Sequence, residues 1–120
     1  MYVRRRFPRF SVSGVVELTT SEKKISLSGM IEKISQGGIG VYCNQKIARG
    51  TRISMEVIMF TGPDTSIYPL TGVVQNFEKM GNSGLLGIQF DQIINEKDQP
   101  ELSIYLSLLE KQYSKYKNVL

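Results

Sequence analysis

The sequence predicts a mostly β protein: a six-stranded antiparallel β-barrel, preceded by an arginine-rich arm and followed by one C-terminal α-helix. Three observations carry this. Six short runs alternate apolar and polar residues between turn signals, glycines sit inside those runs, and after Asp91 the apolar period lengthens to three and four residues.

The clearest strand is Arg52 to Phe60, where Ile53, Met55, Val57 and Met59 share one face and Arg52, Ser54 and Glu56 the other. Shorter runs of the same kind are Val12 to Leu18, Ile25 to Ile34, Ile39 to Cys43, Leu70 to Phe77 and Leu85 to Phe90. Turn residues separate them, among them Gly37-Gly38, Gly62-Pro63-Asp64 and Gly81-Asn82-Ser83-Gly84, and Lys23-Lys24 falls in a hairpin turn as solvated charge. Six such strands fit a barrel or a sandwich. Gly14, Gly29, Gly40, Gly72 and Gly87 inside strands favour the barrel, where bulges and tight curvature need bare backbone. Met55 and Met59 fill its interior, Cys43 is a core thiol, and Met30 and Met80 are open to either a structural role or a partner surface.

In the last segment Leu102, Tyr105, Leu106, Leu109, Tyr113 and Tyr116 recur at helical spacing. Pro100 suits a first helical turn, and Lys111, Lys115 and Lys117 suit the negative end of the dipole. Its apolar face is expected to pack on the chain's own barrel. The predicted organisation is one domain over residues 1–120: an arm over 1–10, a barrel over 11–92 and a helix over 99–117. The start MYVRRRFPRF has no signal-peptide core behind it and no apolar run reaches membrane-spanning length, so the written chain is expected to be the mature, cytoplasmic protein.

Composition narrows the chemistry. With 15 Lys plus Arg against 11 Asp plus Glu the chain carries +4, it has no histidine, and one cysteine offers neither a disulfide nor a zinc ligand set. The commonest general base is absent and no nucleophile and base can be paired, so the expectation is a binding protein with no enzymatic activity, no metal and no cofactor.

Two constellations point to a ligand. Four of the six arginines, Arg4, Arg5, Arg6 and Arg9, lie in the first nine residues. Arginine's planar fork matches phosphate or a guanine edge. Pro8 holds Phe7 out of the helical region, so Arg5 and Arg9 can stand roughly 13 Å apart on an extended arm. The second constellation is Ser35-Gln36-Gly37-Gly38-Ile39-Gly40-Val41, a hydroxyl followed by glycines that let a ligand approach the backbone. Standing alone, these are a solvated basic tail and a hairpin turn.

Together, Arg5 and Arg9 as RxxxR, Ser35 and Gly38 as the end of a D/N-x-S-x-x-G motif, the closing run Gly87 to Phe90 and the helix from Pro100 resemble the PilZ domain family over nearly the whole chain. The resemblance implies a six-stranded barrel that acts as a bacterial cytosolic receptor for cyclic di-GMP, with Arg4, Arg5, Arg9, Ser35, Gly37 and Gly38 binding the ligand and Arg6 and Lys33 as further candidates. It also implies that Arg4, just before the RxxxR, favours a stacked pair of ligand molecules. Lys33 departs from the pattern, since a lysine cannot accept hydrogen bonds from guanine N1 and N2 as Asp or Asn does. Loss of that pairing costs about one to two decades of affinity. Two alternatives stay open: Lys33 faces a phosphate, or a bulge brings Glu32 toward the site.

The expected function is a receptor or adaptor in motility or biofilm regulation, with an arm that orders on ligand binding and a signal passed to an unidentified downstream protein. The expected state is a monomer or weak dimer without membrane insertion. The alternative is a degenerate adaptor that binds no cyclic di-GMP and works through contacts in motility, pilus or export machinery. Nucleic acid is a weaker candidate, because only Phe7, Phe10 and Tyr2 accompany the arginines.

Overall fold

Alternating side chains on six strands close into one antiparallel barrel in a computed structural model that describes residues 7–22 and 24–119, with side chains as far as Ser114. The strands are β1 (Gly14–Thr20), β2 (Ser26–Ile34), β3 (Gly38–Cys43), β4 (Arg52–Thr61), β5 (Asp64–Met80) and β6 (Ser83–Phe90), followed by helix α1 (Pro100–Val119). Their order around the barrel is β1-β2-β3-β6-β5-β4, and pairing of β1 with β4 closes it. Four hairpins join sequential neighbours. The β3 to β4 connection instead crosses the barrel end, where Ile47 is buried and Gly50 and Thr51 exchange backbone bonds with Val74.

The interior follows from the period of two: Val16 and Leu18, Val41 and Cys43, Ile53 to Met59 at every second residue, and Leu86, Ile88 and Phe90 all point inward and are buried. The barrel is tight enough for inward glycines to be required. A Cβ on Gly14 would strike the Ile58 carbonyl and stand 2.7 Å from Ile31 Cδ1, and one on Gly72 would strike the Gln89 carbonyl.

The strand boundaries differ from the sequence expectation by one or two residues in most elements and by more in β5. β1 begins at Gly14 rather than Val12, although Ser13 still accepts a bond from Phe60 N at 3.0 Å. β5 runs from Asp64 to Met80, far beyond Leu70 to Phe77, because Thr65 to Pro69 pair with β4 despite a composition that reads as turn. Its two hairpins are tighter than expected, with two-residue loops Gly62-Pro63 and Gly81-Asn82. Each has glycine at positive φ in the first loop position, as a II′ turn requires.

Helix α1 starts at Pro100, where the missing N–H costs nothing. Asn95 Oδ1 accepts from the backbone of Lys97 and Asp98 and fixes the preceding turn. Leu102 and Leu106 are buried in the barrel's own core cluster, with Tyr105 and Leu109 packed against it and Tyr113 edge-on to Phe10. The expected packing face is therefore observed, but Tyr113 is largely exposed and the Tyr116 side chain lies outside the described residues. Among the described residues no helix is long and apolar enough to cross a membrane. Met30 and Met80 point outward. On the outer wall the register places Tyr42, Met30, Val15, Ile58 and Ile67 in one apolar row across β3, β2, β1, β4 and β5, with Met30 64% exposed.

Candidate functional site

The arm's described part, from Phe7, is held against the barrel by Phe10, whose backbone exchanges two 2.9 Å bonds with Ile34 at the end of β2. This places Arg9 beside β2. Its Nη2 donates to Glu32 Oε1 at 3.2 Å, an ion pair whose side chains are 29% and 15% exposed. Of the arm's sequence-predicted ligands, Arg9 is seen at the site, whereas Arg4, Arg5 and Arg6 lie outside the described residues.

The turn after β2 is built by Ser35. Its hydroxyl oxygen accepts from Gly37 N and Gly38 N, both at 3.2 Å, while Ser35 N donates to the Gly38 carbonyl at 2.9 Å. In this structure the serine therefore organises the loop, and its oxygen is already engaged with two backbone donors. Gln36 and Gly37 carbonyls in turn accept from Ile94 N and Phe90 N, which ties the loop to the end of β6. The Phe7 ring lies over Gly37, within 3.1 Å of where a Cβ would stand, and a Cβ on Gly38 would strike the Ile88 carbonyl. Bare backbone is thus required at Gly38, while at Gly37 a Cβ would press on the Phe7 ring.

Next to this loop two β-bulges flank a paired pair of glycines. Gly40 of β3 faces Gly87 of β6, while β2 shifts register between Ile31 and Lys33 and β5 between Val74 and Asn76. The β2 bulge has a plain cause. Ile31 and Ile34 are three apart, and both reach the core only if an extra residue lets Glu32 and Lys33 stand between them on the outer side. Two side chains cover these glycines: Glu32 Oε1 is 2.6 Å from a Cβ position on Gly40, which is buried, and the Asn76 carboxamide overlies Gly87.

The result is an open cleft of about 800 Å³ that includes Phe7, Arg9, Ser35, Gly37, Gly38, Gly40, Asn76, Gly87 and Gln89. It brings Arg9 together with Ser35, Gly37 and Gly38; Lys33 sits in the adjoining bulge, paired in register with Gly40. Gly40 belongs to the expected constellation Ser35 to Val41, whereas the sequence marks Gly87 only as a barrel glycine at the start of the closing run and gives Asn76 and Gln89 no site role; the signal that marks the bulges is a pair of inward residues at a spacing of three in β2 and β5. Chemically, the cleft offers the Arg9 guanidinium, the Glu78 and Asp91 carboxylates and the carboxamides of Gln75, Asn76 and Gln89, a set suited to a hydrogen-bonding molecule whose negative charge meets Arg9. A second groove, of about 680 Å³, is lined by Glu17, Glu56, Asp91 and Asp98. It holds four carboxylates and no arginine, whereas the first cleft sets Arg9 beside Glu78 and the shared Asp91, and Asp91 is already bound by Arg52 and Thr71, each at 2.6 Å. Among the described residues no cluster of His, Cys, Asp and Glu could hold a metal ion.

Comparison with known proteins bears on the whole arrangement. The family profile of the PilZ domain matches residues 3–106. Among solved structures, the Bacillus subtilis inhibitor of motility MotI/DgrA superposes with a TM-score of 0.70 at 19% identity, covering 95% of this chain and 54% of its own. The PilZ domain of YcgR from Escherichia coli, solved with c-di-GMP, gives 0.64 at 15% identity over 98% of this chain and 100% of its own. The K. pneumonia MrkH–c-di-GMP complex gives 0.69 at 17% identity over 95% and 55%. The chain thus spans about half the length of MotI/DgrA and of MrkH. No curated protein sequence matches it significantly.

Proposed function

Because the chain belongs to the PilZ domain family, a family of ligand-binding receptor domains, we propose that it is a cytoplasmic receptor for cyclic di-GMP without catalysis of its own. The observation that carries this is Arg9 in an open cleft beside the Ser35–Gly38 turn. Cyclic di-GMP brings two phosphate charges, guanine N7 and O6 acceptors and flat bases. An arginine fork satisfies the first two, and the open cleft beside the Gly37-Gly38 turn admits the third. Arg5 pairs with Arg9 in the RxxxR, with Arg4 and Arg6 as neighbouring candidates, and ligand binding draws the arm across the cleft to form a surface that a downstream protein reads. That two superposable PilZ structures contain c-di-GMP supports the reading.

The test is a calorimetric titration of cyclic di-GMP at physiological salt, with the Arg5→Ala, Arg9→Ala double variant alongside and GMP as competitor. Saturable binding that falls at least tenfold in the variant is expected. Unchanged binding in the variant would contradict the assignment. Hydrogen exchange with and without ligand should protect residues 4–9.

A second reading, a ligand-independent adaptor, is favoured by the uncovered apolar row through Met30 and Ile67. Glu17 and Glu56 border that row two residues along β1 and β4, so its partner is a protein ridge that is apolar with a basic flank. No heat with cyclic di-GMP from folded protein, together with partner capture that is lost in the Met30→Glu variant, would decide for it.

A further inference from the structure

Beyond the receptor reading, we propose that the chain self-associates by seating the outer face of α1 from one copy on the outer wall of β1, β4 and β5 of another. On that wall the outward positions of β4 run Phe60, Ile58, Glu56. The register sets Val15 and Ile67 on either side of Ile58, and Glu17 directly opposite Glu56. Phe60 and Ile67 are about half exposed, so an apolar area gives way, two residues along the strands, to a pair of carboxylates. None of these residues lines the cleft.

The carboxylate pair lacks its counter-charge within one copy. Like charges directly opposite on neighbouring strands repel and destabilise a sheet. Among the described residues neither Glu17 nor Glu56 makes an ion pair, and the Ser28 hydroxyl that donates to Glu17 at 2.7 Å is neutral. Both glutamates line the open groove of about 680 Å³, which leaves room for a cationic side chain to reach them.

Helix α1 supplies the complement. Leu102 and Leu106 are buried on one side of it, whereas Ile104, Leu108 and Lys111 recur at steps of four and three on the other and are exposed. This outer face reads apolar, apolar, basic, and Lys115 and Lys117 follow in the chain. The spacings agree with the wall. Four helical residues advance about 6.0 Å and two strand residues about 6.8 Å, so Ile104 and Leu108 fall over Phe60 and Ile58. Lys111 stands about 4.5 Å further along the axis, and its flexible stem carries the ammonium the remaining distance to Glu56 and Glu17. Burial of apolar side chains from both surfaces drives the contact. The charges set its direction, because a reversed helix would lay Lys111 on the apolar wall and leave both glutamates unpaired.

The experiment is sedimentation velocity on the full chain, without cyclic di-GMP, from micromolar concentration to about 0.5 mM at low and high salt, with thermal melts to verify folding. The wild type is expected to associate as concentration rises, and less so at high salt. Glu56→Lys, Lys111→Glu and Ile104→Asp should each weaken association about tenfold or more. An equimolar mixture of the Glu56→Lys and Lys111→Glu proteins should recover association to within about threefold of wild type, because opposite charges meet again across the contact. A wild-type chain that stays monomeric at about 0.5 mM overturns the proposal and leaves the wall to a different protein. Folded charge-reversal variants that associate within about twofold of wild type also overturn it. So does a mixture that fails to recover, since another surface then joins the copies. Because no nucleotide enters the experiment, a failure of the receptor reading leaves its outcome unaffected.

Discussion

Placing a methyl group on the cleft floor separates binding from folding. In Gly40→Ala the new Cβ would stand 2.6 Å from Glu32 Oε1 and 3.6 Å from Leu85 Cδ1, with no backbone atom among its close neighbours. Glu32 must retreat by roughly 0.8 Å to regain ordinary contact, which a side-chain rotation supplies at low cost. Gly40 lies in β3 and is not at positive φ, so alanine is accommodated without backbone strain and removes freedom from the unfolded chain, stabilising by about 0.4–1 kcal/mol. The two effects nearly offset. The net change is expected within about 1 kcal/mol, a shift in melting temperature of no more than about 6 °C either way. Binding, by contrast, meets both a methyl on the floor and a displaced carboxylate, and should weaken at least tenfold. Thermal denaturation and calorimetric titration of the same preparation read the two quantities. Undiminished affinity would refute the floor as the ligand's seat, and a loss of more than about 2 kcal/mol of stability would refute the flexible-neighbour reasoning.

Other sites should respond differently. Gly38→Ala sets a Cβ against the Ile88 carbonyl, a backbone atom that cannot rotate away, and should destabilise by about 2–3 kcal/mol in a chemical denaturation curve. Ser35→Ala removes the acceptor of two backbone N–H groups and should cost about 1–2 kcal/mol of stability even without ligand; an unchanged melting temperature would show that the hydroxyl is idle in the turn. Leu106→Ala empties a site beneath α1 where the side chain is buried, at a cost of about 2–5 kcal/mol, and a loss below 1 kcal/mol would show that the helix contributes little to the core. Cys43 is buried in β3, so a thiol reagent should modify it far more slowly in native than in denatured protein.

How much of this was legible in the sequence depended on whether the local period was unbroken. The run Arg52 to Phe60 alternates without fault, and β4 is found there almost residue for residue. The helix was equally readable from Pro100 and the spacing of Leu102 and Leu106. Strand β5 was cut short because Gly62, Pro63, Asp64, Thr65 and Ser66 read as loop, whereas pairing with β4 and a two-residue turn hold Asp64 to Ser66 in the sheet. The site was partly legible for a similar reason. Ser35, Gly37 and Gly38 announce a tight turn, and the turn is where they stand. The function of the Ser35 hydroxyl within that turn depends on hydrogen-bond geometry that spacing alone does not express. Glu32 and Asn76 depend on bulges, and a bulge is dictated by what the strand must bury on its other face. In β2 the demand comes from Ile31 and Ile34, and it is visible only once both are known to be core.

The most direct test of the account is the titration of cyclic di-GMP into the wild-type protein and the Arg9→Ala variant. The account predicts saturable binding to the wild type, at least tenfold weaker in the variant, with a stability loss of only about 1 kcal/mol for the partly exposed ion pair. A folded wild-type protein that gives no heat and no thermal shift at high ligand concentration would contradict it.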